Sequence, residues 1–461
     1  MINKKKILSI PIEIYKREFF YMLYLSLLAI DKGFQVVIGD QNSVIFTKLN
    51  NGVYFHKDHA PWSLKLLTRA KNRFMKIVIL DVEGLIYSSE DEYISTRISK
   101  EIIEIADSIF CWGNTQKNLI NKVVKDSNNI LITGSPKIDI SNLISDQVSS
   151  KSKDKFYNNI LINTRFAVNN GVSYDVELNN QKNLGIISSD TDVKLFNDFY
   201  NSDVKIYDEF IDLIFNLATN KSINITIRPH PRENCKTYID LFNKFENVKV
   251  DNKTLLNEQF INHDCVIHDG CTTAIEARAC GIPVFGLRPN NLKNAYSSYS
   301  NNYSLNFSSY IELTEHLMKS KVMDYDFKKN LEEVSKSIKN WLNKDINASY
   351  SIINNINRLD IPFVKLLKPN FIKYFDIKLF IFYLINHFIF FKFILRTFFK
   401  TKYDNFIRTM SNVDNKFPNL NYANIKSDIK LLNDLDLKTV RFKDICIDEI
   451  SRKSFVIYKS E

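Results

Sequence analysis

Short runs of apolar residues alternate with longer stretches of helical spacing along the chain. Lys6–Pro11, Phe34–Ile38 and Lys76–Leu80 are too short for typical helices and predict buried β-strands. Between the first two runs, Phe19–Ile30 has the spacing of a helix. Because predicted strands alternate with predicted helices, we expect an α/β fold with parallel sheets.

The same pattern continues toward residue 150. It predicts strands at Val44–Phe46, Val53–His56, Ser108–Trp112 and Ile130–Thr133, and the end of a helix at Ile102–Ile105. The polar stretch Gln147–Asp154 is rich in serine and lysine and predicts a linker. We therefore expect one domain at residues 1–148, a second at residues 155–350 and a mainly helical extension at residues 360–461.

Residues 155–350 repeat the α/β pattern. A strand is predicted at Ile160–Ile162 and a long helix at Val193–Asn220. The glycine- and asparagine-rich stretch Val168–Ser189 between them predicts a mobile loop. Amphipathic spacing predicts two closing helices, Tyr310–Lys319 and Phe327–Asn343.

Two polar loops follow buried strands in this second domain. Residues 228–233, which we call the His-Pro loop, follow the predicted strand Ile223–Ile227. Residues 268–276, the Thr-Thr loop, follow Cys265–Ile267 and open into a predicted helix, Ala274–Cys280. Ligands of parallel α/β sheets bind beyond the carboxyl ends of the strands. We expect both loops to lie there, at the ends of adjacent strands.

The side chains of the two loops suit an anion. The hydroxyl, imidazole, guanidinium and backbone N–H groups of the loops are expected to bind it, and prolines stiffen the first loop. The residues expected to form this donor site are Arg228, His230, Pro231, Arg232, Gly270, Thr272 and Thr273. A donor that carries phosphate is the natural ligand. The alternative is that Thr272 only caps its helix and His230 only satisfies a turn.

Acidic residues at two strand ends of the first domain are further candidates. Glu83 follows the strand Lys76–Leu80, and Gly84 allows a tight turn beside it. A carboxylate there could accept a proton from a hydroxyl, or it could only cap the turn. Glu13 and Arg17 follow the first strand, where they are either ligands or a surface ion pair.

Composition narrows the class of partner. The 461 residues carry a net charge of +10, which favours acidic partners such as phosphorylated donors or an anionic membrane face. The chain has no arginine-rich arm, so nucleic acid is not expected. The first βαβ unit lacks a G-x-G-x-x-G turn, so a nicotinamide cofactor is not expected either. Six cysteines without a C-x-x-C pair, and no signal peptide, predict free thiols in the cytosol.

The extension contains an apolar stretch with basic flanks, Lys378–Lys400. It is interrupted by Asn386, His387 and Lys392, so it does not predict a membrane span. We expect an interfacial helix on the inner face of the membrane, or a helix packed on protein.

Three motifs together resemble those of bacterial surface carbohydrate biosynthesis proteins. The chain is also similar to CMP-sugar-dependent transferases, namely sialyltransferases, polysialyltransferases and capsule Kdo transferases. The counterparts of their acidic, His-Pro and Ser/Thr motifs are Val82-Glu83-Gly84, His230-Pro231 and Thr272-Thr273. The first acidic position is Val82 here, while Asp81 lies one residue earlier. The resemblance covers residues 6–345 and also includes Glu13, Arg17, Ser135 and Asn163 as cleft residues.

The resemblance implies a GT-B glycosyltransferase with two Rossmann-like domains that face a central cleft. The expected donor is a CMP-activated acidic sugar, Kdo or sialic acid, and neither a metal nor a cofactor is expected. His230, Thr272 and Thr273 would bind the donor phosphate, Glu276 the ribose, and Glu83 would deprotonate the acceptor. The acceptor would be a glycan of capsule or lipopolysaccharide, either free or linked to a lipid. The protein would be cytoplasmic and would act at the inner face of the inner membrane.

Two alternatives stay open at this point. One is another nucleotide-dependent enzyme on the same scaffold, a CDP-glycerol-type phosphotransferase or a UDP-sugar 2-epimerase. An epimerase needs further acid and base groups, which the sequence does not identify. The other is a non-catalytic protein of a polysaccharide assembly complex, with the extension as its docking helix.

Overall fold

The computed structural model describes residues 4–47, 49–83, 89–125, 128–151, 153–183, 187–290, 292, 299–328, 338, 347–365, 416–435, 444–451 and 453–460. Contacts divide the chain into two compact units. The first comprises Met1–Leu80, Glu101–Phe110 and Ala348–Glu461, and the second Asp81–Lys100 and Cys111–Asn347. The predicted domain boundaries at 148 and 155 differ from this division and stay a prediction. Residues 81–83 thus belong to the same unit as the His-Pro and Thr-Thr loops.

Strands and helices alternate along most of the described chain. Up to residue 149 the elements are β1 Lys4–Ile12, α1 Tyr15–Asp31, β2 Phe34–Asp40, α2 Gln41–Phe46, β3 Val53–His56, α3 Leu64–Lys71, β4 Lys76–Leu80, α4 Glu90–Arg97, α5 Lys100–Ile105, β5 Ser108–Cys111, α6 Asn114–Val123, β6 Ile130–Ile132 and α7 Pro136–Ser149. The later elements are β7 Asn159–Asn163, α8 Tyr174–Asn183, α9 Asp190–Ala218, β8 Asn224–Arg228, α10 Cys235–Phe242, β9 Val248–Val250, α11 Leu256–Asn262, β10 Cys265–His268, α12 Thr273–Ala279, β11 Val284–Leu287, β12 Leu305–Phe307, α13 Tyr310–Lys319, α14 Ala348–Arg358, β13 Val364–Lys365, α15 Tyr422–Leu435, β14 Ile445–Ser451 and β15 Ser454–Lys459.

The sheet of the first unit is parallel at its centre and antiparallel at one side. Its strands run in the order β14-β15-β2-β1-β3-β4-β5, and the five strands β2, β1, β3, β4 and β5 are mutually parallel. The short strand β13 pairs antiparallel with the first residues of β1. The β14–β15 hairpin pairs antiparallel with β2. Gly39 makes this contact close, because a Cβ atom there would lie 2.1 Å from the backbone oxygen of Lys453. The sequence did not indicate this hairpin.

The sheet of the second unit is parallel throughout, in the order β12-β11-β10-β7-β8-β9. One face of the sheet packs its isoleucines on the long helix α9, which the Ser189–Asp192 capping box starts. Successive side chains of a strand point to opposite faces. Asn163, Arg228 and His268 therefore share the face opposite that core.

The predicted α/β class with two parallel sheets is confirmed. Two local predictions were wrong. Val44–Phe46 is part of helix α2, because the Asp40 carboxylate accepts from the Ser43 N–H at 3.0 Å and starts a helix. Val168–Ser189 contains helix α8, so its polar composition marked an exposed helix and not only a loop.

Several predictions fall outside the described residues. They are Gly84, most of the helix Phe327–Asn343 and the whole of Lys378–Lys400. In the described part of the chain, no helix has the length and apolar character needed to cross a bilayer.

Candidate functional site

The carboxyl ends of β8, β7 and β10 carry the His-Pro loop, Asn163 and the Thr-Thr loop. The two loops do not follow adjacent strands as expected, because β7 lies between β8 and β10. Two strand spacings, about 10 Å, therefore separate the strands that precede the loops. Asn163, at the end of β7 and in register with Arg228, occupies the position between them.

A buried carboxylate shapes the His-Pro loop. Glu233 accepts hydrogen bonds from the His230 N–H at 2.8 Å, from Thr164 Oγ1 at 2.8 Å and from Tyr238 Oη at 2.6 Å. These donors are neutral. Burial raises the pKa of Glu233, although the hydrogen bonds from Tyr238, His230 and Thr164 work in the opposite direction.

The His-Pro loop fixes which nitrogen of the His230 ring carries the proton. Nδ1 of His230 accepts from the backbone N–H of Arg232 at 3.2 Å. The geometry therefore assigns the proton of the neutral ring to Nε2, where it can be donated to an anion. His230 itself is half-buried.

The two arginines of the loop are already engaged. Arg232 donates to Glu177 of α8 at 2.6 Å, and its backbone oxygen would lie 2.2 Å from a Cβ atom at Gly171. Arg228 donates to the Thr254 oxygen at 2.8 Å. Burial lowers the pKa of Arg228, while nearby acidic groups, including Glu276 of the Thr-Thr loop, raise it. Arg228 therefore lies close enough to the second loop to act on it electrostatically.

Charged groups hold the Thr-Thr loop. The side chain of Asp269 is 1% exposed and pairs with Arg165, whose Nε also donates to the Asp269 backbone oxygen at 2.8 Å. Arg165 Nη1 donates to Asp203 at 2.6 Å. Gly270, with a φ of 67°, donates its N–H to Asn301 Oδ1 at 2.8 Å. That N–H is thus used inside the protein, and Gly270 serves the shape of the turn.

His268 is a second support of this loop. Its Nε2 lies 2.5 Å from Ser304 Oγ, and its Nδ1 accepts from the Cys271 N–H at 3.2 Å. Complete burial lowers the pKa of His268 to about 4, with Asp269 working in the opposite direction. The ring is therefore neutral at physiological pH.

Thr272 and Thr273 lead into α12, and their backbone donors are not used within the described residues. Thr272 occupies the N-cap position, but its side chain makes no capping hydrogen bond. The backbone N–H groups of Thr272 and Thr273 make no hydrogen bond within the described residues. Thr273 Oγ1 lies 2.9 Å from Cys271 Sγ. A simple capping role does not account for Thr272.

Asn163 is the least satisfied polar side chain of this site. It is 3% exposed, and neither its Oδ1 nor its Nδ2 has a hydrogen-bond partner within the described part of the chain. A buried polar group without a partner costs about 1–3 kcal/mol. A buried amide without a described partner, next to the unused backbone N–H groups of the Thr-Thr loop, is typical of a position that binds a polar ligand.

A buried cation, Lys137, stands beside the site and was not predicted from the sequence. Its side chain is 3% exposed, and Nζ lies 4.0 Å from Glu276 Oε1. Lys137 follows Ser135, which is the N-cap of α7, is 1% exposed and makes no side-chain capping bond. The only sequence signal for Lys137 was its place directly after the Gly134-Ser135-Pro136 turn.

The acidic turn after β4 contains two carboxylates with different surroundings. Asp81 is fully buried and accepts from Tyr93 Oη at 3.0 Å and Arg97 Nη2 at 2.7 Å. The Glu83 side chain is 36% exposed, and its Oε2 lies 3.4 Å from Arg97 Nη1. Asp81 is thus the anchor of the turn, and Glu83 is the carboxylate that solvent or substrate can reach.

Buried side chains extend this anchor. Gln116 donates to Tyr93 Oη at 2.9 Å and accepts from the Trp112 N–H at 2.9 Å. The indole of Trp112 donates to the Asp81 backbone oxygen at 2.7 Å. Burial and the Asp81 charge raise the pKa of Tyr93, so it stays a hydroxyl. Arg97 and this network were not predicted from the sequence.

Glu13 and Arg17 lie in the first unit. The carboxylate of Glu13 pairs with Lys57 and, at 2.5 Å, with Lys416 of the C-terminal region. Neither lysine was predicted as its partner. Among the described residues, no group of three or more His, Cys, Asp or Glu side chains is arranged to hold a metal ion.

Comparisons with known proteins give remote structural likenesses. No protein-family model matches the chain, and no curated protein matches it. Wall teichoic acid polymerase TagF aligns with a TM-score of 0.46 at 12% identity, over 77% of this chain and 89% of that one. MnaA of S. aureus with UDP gives 0.43 at 15%, over 76% and 96%. UDP-GlcNAc 2-epimerase of Neisseria meningitidis gives 0.45 at 15%, over 77% and 100%.

Proposed function

We propose that the protein is an enzyme that binds a nucleotide-activated donor at the ends of β8, β7 and β10 and transfers its activated group to an acceptor hydroxyl. One observation carries this proposal. The buried Asn163 amide, without a partner in the described chain, lies between the His-Pro loop and the Thr-Thr loop, and the second of these has backbone N–H groups without a partner among the described residues. Such an arrangement is stable when a polar ligand completes it.

The donor phosphate is the part of the ligand that this site fits best. The Nε2–H of His230 would donate to it from one side, and the Thr272 hydroxyl with the two threonine N–H groups from the other. As the bond between the donor group and its phosphate oxygen breaks, the electron pair moves onto that oxygen. Donors fixed at this position stabilise the developing charge.

Glu276 would bind the ribose hydroxyls of the donor. Its carboxylate is 16% exposed and faces the buried Lys137. The cation holds the carboxylate in place and supplies positive charge near the phosphates. Lys137 is therefore a positioning residue in this proposal, and Glu276 is the group in contact with the donor.

Glu83 would act as the general base toward the acceptor. It would accept the hydroxyl proton while the acceptor oxygen forms the new bond. Arg97, tied to Asp81, fixes the position of Glu83 from the protein side. Asp81 has too little exposure to take this role itself.

The first candidate donor is a CMP-linked acidic sugar, Kdo or sialic acid, as the motifs suggest. The second is a CDP-glycerol or UDP-sugar donor, because the same loops would bind any nucleoside phosphate and no described contact selects one base. The acceptor would be a surface glycan, either free or linked to a lipid. The enzyme would act at the inner face of the bacterial inner membrane.

A nucleotide titration tests the proposal. CMP, CDP, UMP and UDP are titrated into the purified chain while its melting temperature is measured, because a ligand of the native state must raise it. We expect stabilisation by at least one nucleotide, and its loss in His230→Ala. Glu83→Gln should still be stabilised by nucleotide and yet lose transfer activity. No stabilisation by any of the four would refute the proposed site.

A further inference from the structure

The first unit contains a cavity that the proposed function does not use. Its volume is about 260 Å³, and it lies between β1, β3 and the helices α2 and α3. Its walls are largely apolar, with Val44, Leu49, Leu66, Ala70 and Met75 among them. A space of this size with apolar walls fits an apolar ligand rather than ordered water.

Two arginines, Arg69 and Arg73, line the same cavity. Arg69 is exposed and Arg73 half-buried. Neither guanidinium has an ion pair or a hydrogen bond with a described residue. Two cations without a counter-charge among the described residues, beside an apolar space, attract a ligand that carries an anionic group.

A buried hydroxyl provides a second polar contact inside the cavity. Tyr54 of β3 lines it and is 5% exposed, and its Oη has no hydrogen-bond partner within the described residues. Ser9 of β1, which is in register with Tyr54, lines it as well. Burial, and the nearby Asp58, raise the pKa of Tyr54, so the phenol remains a donor. An unpartnered donor at this depth is independent of the arginines and also points to a ligand.

We propose that this cavity binds a single-chain anionic amphiphile, with the aliphatic chain against the apolar walls and the anionic head on Arg69 and Arg73. An engineered cavity of about 150 Å³ accommodates the six carbons of benzene. By the same proportion, 260 Å³ accommodates a chain of about ten carbons. A longer chain, such as that of a lipid carrier, would have to extend outside.

Binding of alkyl phosphates by isothermal titration calorimetry tests the site without any nucleotide. Chains from six to twelve carbons are used below their micellar concentrations. We expect affinity to rise roughly fourfold per methylene and to level off near about ten carbons. Inorganic phosphate tests the head alone and decyl glucoside the chain alone, and both should bind much more weakly than decyl phosphate.

Variants test each part of the site. Arg69→Gln combined with Arg73→Gln should weaken decyl phosphate about tenfold. Lys65→Gln, on the same helix but not in the cavity wall, is the matched control and should change nothing. Ala70→Leu fills part of the cavity and should shift the optimum to shorter chains. Leu66→Ala enlarges it and should shift the optimum to longer chains.

Three results would overturn the proposal: affinity independent of chain length, equal affinity for inorganic phosphate, or binding that the double arginine variant retains in full. The site lies entirely in the first unit, and the probes contain no nucleotide. Its failure would therefore leave the proposed nucleotide site untouched, and failure of the nucleotide titration would leave this site untouched.

Discussion

The His-Pro loop and the Thr-Thr loop present similar groups to the same edge of a sheet, but they are held by opposite kinds of chemistry. The first is anchored by a carboxylate, Glu233, among neutral donors. The second is anchored by a carboxylate, Asp269, among cations, chiefly Arg165. A histidine that must stay neutral, His268, completes the second anchor.

This difference teaches that the two loops respond to pH in opposite directions. The pKa of Glu233 is raised in the folded protein, so its contribution to stability is present at low pH and is lost as the pH rises through the folded value. The pKa of His268 is lowered in the folded protein, so the unfolded chain takes up the imidazole proton at a higher pH than the folded chain does. The His268 contribution is therefore complete above its usual pKa and is lost as the pH falls toward about 4.

The largest effect is expected from Asp269→Ala. This variant removes one of the two carboxylates that pair with Arg165, leaves the pair with Asp203, and removes the side-chain acceptor of Asn301. Breaking a buried ion pair on one side costs about 3–5 kcal/mol. We expect a loss in this range in urea denaturation. Glu246→Ala removes an exposed carboxylate instead and should stay within about 0.5 kcal/mol of the parent protein.

The next effect is the acid response of the Thr-Thr loop. With a folded pKa of about 4 against an ordinary value of 6.5, His268 should make the protein lose about 2 kcal/mol between pH 7 and pH 5. His268→Gln should lower stability at pH 7 but flatten this part of the curve. An unchanged slope in the variant would show that other groups cause the acid response.

A smaller effect of opposite sign is expected from Glu233→Gln. The amide can still accept from His230 and can donate to the hydroxyls of Thr164 or Tyr238, so the net cost at low pH should be within about 1 kcal/mol. As the pH rises, the variant should gain stability relative to the parent protein, because only the parent carries the buried charge. A relative loss with rising pH would contradict the neutral-donor description of this loop.

The smallest effect is expected at the rim of the His-Pro loop. The Arg232 side chain is 48% exposed, so its ion pair with Glu177 is screened by solvent. Glu177→Gln should change the free energy of unfolding by less than about 1 kcal/mol. A loss comparable to that of Asp269→Ala would mean that α8 is an essential part of the loop's support.

The sequence predicted the central strands well because their apolar runs are short and sharply bounded. Val53–His56 and Lys76–Leu80 match β3 and β4 residue for residue. A three-residue run such as Val44–Phe46 carries no period, so helix and strand could not be distinguished. The pairing of β15 with β2 joins distant parts of the chain, and no local pattern encodes it.

The candidate site likewise contains residues that the sequence revealed and residues that it did not. Polar residues directly after apolar runs could be found, because strand ends are visible in the sequence. Their partners could not, since Arg97, Arg165 and Lys137 lie far along the chain from the carboxylates they contact. The choice between Asp81 and Glu83 needed burial, which the sequence does not state.

The most direct test of the account is a double-mutant cycle on nucleotide affinity, measured by calorimetry with the nucleotide that stabilises the protein best. His230→Ala and Thr272→Val change one loop each. If both loops hold the same phosphate, each variant should lose about tenfold or more in affinity, and the double variant should lose clearly less than the product of the two. Losses that multiply without coupling, or an affinity unchanged in both single variants, would contradict a shared phosphate site.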